Sequence, residues 1–291
     1  MKNSLRHIFV IAGNTFTEAI RQKVLYVLVV FCLIMLGGSS FYTQFDFRGD
    51  DFKFMKDLAY AAISVIGLLV SLLGAAMLIP AELEKRTIYT LLSKPVRKFE
   101  FIVGKYLGLV LLLTLFVTLM AGIFMLAVWG HESSLTAGIL KASQGHPTEF
   151  QQQMINEFRA GAYDPAMWQA LVLIWAKLCL VTVISVLFST VASSTVFIVS
   201  CTLFIYLIGH LQSVARDFWF SQSGGASWLT TAFLAAVSLF IPDFQTFNLI
   251  DEIISGNPVL WQNTWHILLY SAVYTVIALA VSALLFENRE L

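Results

Sequence analysis

Long apolar runs with almost no charge alternate with short polar segments along the whole chain. About 20 residues suffice for a helix to cross the hydrocarbon core of a bilayer. A polar midpoint, S-T-V-A-S-S-T at 189–195, divides the longest apolar region into two runs joined by a tight turn. The pattern therefore predicts six transmembrane helices, at residues 24–45, 58–81, 106–130, 168–191, 194–211 and 265–286.

The residues before the first span have a mixed pattern. In residues 1–23, apolar side chains recur at roughly helical spacing and polar ones occupy much of the rest. This pattern is typical of an amphipathic helix that lies in the membrane interface. A loosely ordered cytosolic leader is the alternative.

The region between the fifth and sixth spans allows two topologies. Only Trp228–Ile241 is steadily apolar there, and it follows the Gly-rich sequence S-Q-S-G-G-A-S. A run this short favours a re-entrant segment over a full crossing. Counting it as a seventh span would place the C-terminus on the opposite side of the membrane.

The composition agrees with a membrane protein. The chain is 58% hydrophobic and 12% charged, with a mean hydropathy of +0.79, whereas soluble domains are about 25% charged. The fold class predicted is an all-α integral membrane protein. The net charge of zero gives no reason to expect a nucleic-acid partner, and the three cysteines lie inside apolar runs without metal-ligand spacing. We therefore predict no metal site.

The positions of the basic residues predict the orientation. Cytoplasmic loops of membrane proteins carry an excess of Lys and Arg. In the six-span topology, the face with both termini and residues 82–105 has eleven of the 18 basic residues, and the face with residues 131–167 has six. We therefore place the termini and 82–105 in the cytosol, and 131–167 outside it. The eleven are Lys2, Arg6, Arg21, Lys23, Lys85, Arg86, Lys94, Arg97, Lys98, Lys105 and Arg289.

The segment between the second and third spans, Pro80–Tyr106, is the most charged stretch of the chain. Glu82 and Arg86 have the i,i+4 spacing of a helix-stabilising pair. Pro95 ends that helix, because the residue before a proline is pushed from helical angles, and a second helix restarts near Phe99. An ordinary cytosolic loop explains the basic residues but not the acidic ones, so we predict a docking surface for a soluble partner.

The same segment resembles the loop between the second and third spans of ABC-2-type permeases, the membrane subunits of ATP-binding-cassette exporters. The resemblance is closest to the small NosY-like branch and extends to Tyr206–Leu211 and Ile241–Leu249. The residues that match the family pattern in order are Glu84, Thr87, Leu91, Leu92, Pro95, Arg97, Gly104 and Lys105.

The resemblance implies how such a chain works. Residues 82–92 would be a coupling helix seated on an ATPase, and two short helices between spans five and six would be the re-entrant element. A second copy or a paralogue would complete the path, in a bacterial or archaeal plasma membrane. The implied coupling residues are Glu82, Glu84, Arg86, Thr87, Leu91, Leu92, Pro95 and Arg97.

No G-x-x-x-x-G-K-[ST] phosphate loop occurs in the chain. The family interpretation therefore places ATP and Mg²⁺ on a separate ATPase subunit and requires no cofactor in this chain. The resemblance implies a non-ATPase membrane subunit and leaves the transported substrate open.

Two residues within the spans are candidates for a substrate path. Lys177 is a charge inside the fourth span, where a charged side chain usually faces a cavity or a partner. It also has the alternative of snorkelling to the interface. His210 ends the fifth span, with a hydrogen-bonded structural role as its alternative. Asp243 is interpreted as an ordinary loop acid.

Two other functions compete with the permease. A stand-alone secondary transporter or channel predicts paired intramembrane charges or inverted repeats, and the sequence shows no acidic residue within the spans to pair with Lys177. A membrane enzyme predicts a clustered catalytic set, and neither a Ser/His/Asp grouping nor H-E-x-x-H occurs. No catalytic residue is predicted.

Overall fold

The computed structural model describes residues 2–38, 51–84, 97–142, 165–221, 241–249 and 260–287, together with isolated positions between them. In these ranges all regular secondary structure is helical. The elements are α1 Lys2–Ile20, α2 Lys23–Gly37, α3 Asp51–Glu84, α4 Lys98–Ala142, α5 Ala166–Val191, α6 Thr195–Ser221, the 3₁₀ helix Gln245–Phe247 and α7 Trp261–Glu287.

Five of these helices are long and apolar enough to cross a membrane, and a bent pair makes a sixth if it counts as one span. The all-helical membrane fold is therefore confirmed, with five or six spans in the part of the chain described. The five are Phe52–Met77, Lys98–Gly138, Ala166–Val191, Thr195–Val214 and Trp261–Glu287.

The sixth candidate is the pair α1 and α2, which meet at an angle of 66°. Gln22 has an extended backbone, with φ −70° and ψ 121°, and interrupts the helix between them. The amphipathic segment predicted at 1–23 is helical to Ile20. The predicted span 24–45 begins with α2, and its last residues, 39–45, lie outside the described part of the chain.

Helix α5 is the centre of the bundle. In its most apolar stretch 78% of residues are buried, against 22% in α6 and 17% in α7. It packs against α3, α4, α6 and α7. Helices α6 and α7 therefore present wide apolar faces to their surroundings.

The helix break between α5 and α6 lies at residues 192–194, inside the S-T-V-A-S-S-T sequence. Ala192 is extended, with φ −106° and ψ 149°. The hydroxyl of Thr195 donates to the carbonyl of Ala76 at 3.2 Å, and that of Ser185 donates to the carbonyl of Leu72 at 3.4 Å. These side-chain bonds attach both sides of the break to α3.

Helix α4 extends beyond both ends of the predicted span 106–130. Its 45 residues make it about 67 Å long at ~1.5 Å per residue, roughly twice the ~30 Å hydrocarbon core. At its C-terminal end, Glu132 accepts a hydrogen bond from the Tyr163 hydroxyl at 3.0 Å. His131 packs edge-on against Phe52 of α3. The first part of the predicted loop 131–167 is therefore a continuation of α4.

Candidate functional site: the junction of α1, α4 and α7

The predicted coupling segment is described only at its two ends. Helix α3 includes Pro80 and continues to Glu84, so Glu82 lies in its last turn. At the other end, Arg97 is exposed and directly precedes α4. The predicted residues that lie outside the described part of the chain are Arg86, Thr87, Leu91, Leu92 and Pro95.

The start of α4 is fixed by Glu100. Its carboxylate accepts a hydrogen bond from the backbone N–H of Arg97 at 3.4 Å. An acidic residue at the third helical position often accepts a hydrogen bond from the backbone N–H of the N-cap residue in this way. Negative charge near a helix N-terminus is also favourable. The start of α4 is therefore held at a defined position.

Glu100 also joins α4 to the N-terminal helix. Its side chain is buried, with 4% exposure. It accepts a hydrogen bond from the Ser4 hydroxyl, and one of its oxygens lies 3.1 Å from Nδ1 of His7. A buried carboxylate requires such partners. The sequence analysis did not identify this role, although an acidic residue three positions after a predicted helix start was a signal for it.

Two glycines of α4 let α1 approach closely. A Cβ on Gly104 would lie 2.8 Å from Cβ of Ile11, and one on Gly108 would lie 2.6 Å from the Ala12 carbonyl oxygen. Small residues four apart allow helix backbones to pack at short range in membranes. Gly104, one of the residues that match the family pattern, therefore has a packing role here. Gly108 extends the same contact by one turn.

Lys105 is the third contact between these helices. Its side chain is buried, with 1% exposure. Its Nζ lies 3.7 Å from Oε2 of Glu18 and 5.7 Å from the centroid of the Phe101 ring. The residue therefore joins the last turn of α1 to the second turn of α4.

The end of α7 meets the same part of α4. Nζ of Lys98 donates to the backbone carbonyls of Glu287 at 3.0 Å and Phe286 at 3.4 Å. A cation beside the free carbonyls of a helix C-terminus is stabilising. The rings of Phe101 and Phe286 stack with centroids 5.9 Å apart. Two helices from opposite ends of the chain therefore converge on the first two turns of α4.

A second polar region lies between α5, α6 and the segment 241–249. The backbone N–H of Phe244 donates to the carbonyl of Gly209 at 3.1 Å. A Cβ on Gly209 would clash with the Pro242 carbonyl and lie 2.7 Å from Cδ2 of Phe244. Glycine therefore allows this non-helical segment to lie directly against α6. Non-helical backbone at membrane depth needs such cover from the protein.

This segment brings Asp243 close to His210, because the neighbouring Phe244 is hydrogen-bonded to Gly209. Its backbone N–H donates to the Tyr270 hydroxyl at 2.8 Å, and its side-chain Oδ1 accepts from the Gln245 N–H at 3.0 Å. The His210 ring stacks on Tyr206, and the Tyr206 ring also lies 5.1 Å from that of Phe244, the residue after Asp243. Asp243 lies in non-helical backbone, as expected of a loop acid. Its return to α6 was not predicted, because only the tertiary fold brings it there.

Lys177 is buried inside the bundle, with 6% exposure. It lies eleven residues after the start of α5, about 16 Å along the helix axis. The surrounding helices therefore cover its side chain. Within the described residues the Lys177 ammonium has no ion pair, and no group of three or more His, Cys, Asp or Glu residues is arranged to hold a metal ion.

Comparison with known proteins connects this architecture to a family. No match was found among curated proteins. A family model described as ABC-2 family transporter protein matches residues 9–291. The chain is therefore a multi-pass membrane permease that belongs to the ABC-2 family of transporter proteins.

Proposed function

We propose that this chain is the membrane subunit of an ATP-driven exporter or mechanical transducer, and that a separate ATPase subunit supplies the energy. The observation that carries the proposal is the convergence of α1 and α7 on the first turns of α4, next to the segment 85–96. A partner that moves this segment would act on three helices at once, because Glu100, Lys105 and Lys98 attach them to one another.

The docking surface in this proposal is the segment from Glu82 to Arg97, with both termini in the cytosol of a bacterial or archaeal cell. Glu84, Leu91 and Leu92 would contact the ATPase, which binds ATP and Mg²⁺. The exposed side chain of Arg97 borders the surface at the start of α4. Membership of the NosY-like branch belongs to the same proposal.

A second permease copy or a paralogue would complete the assembly. The wide apolar faces of α6 and α7 support this part of the proposal, since only 22% and 17% of their most apolar stretches are buried in the described part of the chain. The bilayer would cover whatever the second subunit does not.

The substrate path would pass the polar region of Lys177 and His210. A buried cation without an ion pair among the described residues is costly, and intramembrane charges usually mark a path or a partner. Asp243 lies close to His210 and joins the proposed path. The transported substrate is left open.

One observation favours the second candidate, a stand-alone secondary transporter. Lys177 is a buried charge inside α5, and intramembrane ionisable residues mark ion pathways and proton relays in such transporters. The two candidates differ in their energy source. Activity that persists in vesicles without ATP and responds to an ion gradient would favour the secondary transporter.

The proposed function is tested by co-purification and ATP hydrolysis. The chain is expressed with a candidate ABC ATPase, and vanadate-sensitive hydrolysis by the purified complex is measured. We expect Glu84→Arg and Leu91→Asp to prevent complex formation, whereas Lys53→Glu, an exposed change at the other end of α3, leaves it intact. Complexes of unchanged yield and activity from both docking variants would refute the assignment.

A further inference from the structure

The bend between α1 and α2 encloses an apolar groove that the proposed function does not use. Its volume is about 180 Å³, and its walls come from α1, α2, α3 and α4. It is comparable to a cavity of about 150 Å³ that stays dry and holds benzene. The residues that define it include Ile20, Tyr26, Val29, Val70, Phe116 and Leu119.

The groove opens on the outer surface of the helix bundle. Tyr26 of α2 and Leu115 and Leu119 of α4 line it and are 55%, 46% and 43% exposed. In a membrane-spanning bundle, an apolar opening on the outer side of the helices faces lipid. A hydrocarbon chain can therefore enter the groove without crossing water.

Two cations lie at the bend itself. Arg21 and Lys23 are exposed and connect Ile20 to Leu25, both of which line the groove. In the described part of the chain neither forms an ion pair. The polar edge of the groove thus offers two exposed positive charges.

We propose that this groove binds one acyl chain of an anionic phospholipid, with the lipid phosphate held by Arg21 and Lys23. Basic residues beside a membrane surface attract anionic headgroups, and an apolar groove of this size accepts part of a hydrocarbon chain. The bound lipid fills the bend and stabilises the angle between α1 and α2.

This inference requires only that the chain is embedded in a membrane, so it stands or falls independently of the ATPase partner. A free phosphate ion shares the headgroup chemistry but leaves the groove empty. A second copy of the chain would cover the groove without any preference for headgroup charge. These occupants give different results in the experiment below.

The test is native mass spectrometry of the full-length protein released from nanodiscs that contain phosphatidylglycerol or phosphatidylcholine. We expect retention of phosphatidylglycerol only, and a loss of roughly tenfold or more for the double variant Arg21→Gln, Lys23→Gln. The matched control is Arg6→Gln, Lys53→Gln, which removes two exposed cations away from the groove and leaves retention unchanged. Equal retention of both lipids, or no loss in the double variant, would overturn the proposal.

Two further measurements test the groove itself. Leu119→Trp fills the groove without changing its charge, and we expect this variant to lose phosphatidylglycerol retention. In the wild-type protein, we expect added inorganic phosphate not to displace phosphatidylglycerol. Retention that survives Leu119→Trp, or that is lost to inorganic phosphate, would rule out acyl-chain binding. A photoreactive benzoyl-phenylalanine at Tyr26 should add the mass of one phospholipid, whereas cross-linking to a second copy would contradict the proposal.

Discussion

Nδ1 of His7 lies 3.1 Å from the carboxylate of Glu100, although 93 residues separate them in the sequence. The same carboxylate accepts from Ser4 and from the backbone of Arg97. One buried side chain thus attaches the N-terminal helix to α4 at the point where the predicted coupling segment ends.

Glu100→Ala should release α1 from α4. The change removes the acceptor for Ser4, His7 and Arg97, and a buried hydrogen bond to a charged group contributes about 1.5–3 kcal/mol. Hydrogen exchange of residues 4–20 in detergent should accelerate strongly. Asn14→Ala, at an exposed position of the same helix, should have a much smaller effect. Unchanged protection of α1 in Glu100→Ala would show that other contacts hold the helix.

Gly104→Ala and Gly108→Ala should each destabilise the junction. The new methyl groups would lie within 3 Å of Ile11 and Ala12, and overpacking of this kind costs about 1–3 kcal/mol. The control is Gly122→Ala in the same helix, where no atom lies within 4 Å of an added Cβ. Alanine is the better helix former by ~1 kcal/mol, so the control should raise the thermal midpoint. If all three glycine variants shifted the thermal midpoint in the same direction, the packing assigned to Gly104 and Gly108 would be contradicted.

Gly209→Ala should displace the segment 241–249. An added Cβ would occupy the space of the Pro242 carbonyl and approach Phe244, so the bond between the Phe244 N–H and the Gly209 carbonyl should break. Faster hydrogen exchange at Phe244 would report this change. Gly130→Ala, which meets nothing within 4 Å, is the control. Exchange at Phe244 that is equally slow in both variants would exclude a close contact between the segment and α6.

Lys177→Met should have opposite effects on stability and on activity. Met removes a buried charge that has no ion pair among the described residues, which should stabilise the fold. If Lys177 serves the substrate path, the same change should abolish activity of the complex with its ATPase. Thermal unfolding and vanadate-sensitive hydrolysis, measured on one preparation, separate the two effects. A variant that is stable and fully active would remove Lys177 from the path.

The apolar pattern predicted most of the fold, because a membrane-spanning helix must be apolar over a known length. The helix break at 192–194 falls within the polar midpoint of the longest apolar region. Ser and Thr favour a break there, because their hydroxyls compete for the backbone hydrogen bonds of the helix. The length of α4 was not predicted. The polar residues after Gly130 indicate that the chain leaves the lipid there, but a change in polarity does not by itself end a helix.

The candidate site was only partly predictable. Sequence similarity pointed to Gly104 and Lys105, but their contacts with Ile11 and Glu18 depend on where α1 packs. The return of Asp243 to α6 was not predicted for the same reason, because its approach to His210 depends on the missing side chain of Gly209. Local patterns identify which residues are unusual in a membrane protein. The tertiary fold decides which of them meet.

The most direct test of the account is a cross-link from Arg97 to the ATPase. A photoreactive benzoyl-phenylalanine replaces Arg97, which is exposed at the start of α4, and the complex is irradiated and analysed by mass. The same residue at Lys53, at the opposite end of α3, is the control. The account predicts a permease–ATPase adduct from position 97 and none from position 53. An adduct from position 53 alone would place the ATPase on the other face of the membrane and contradict the central claim.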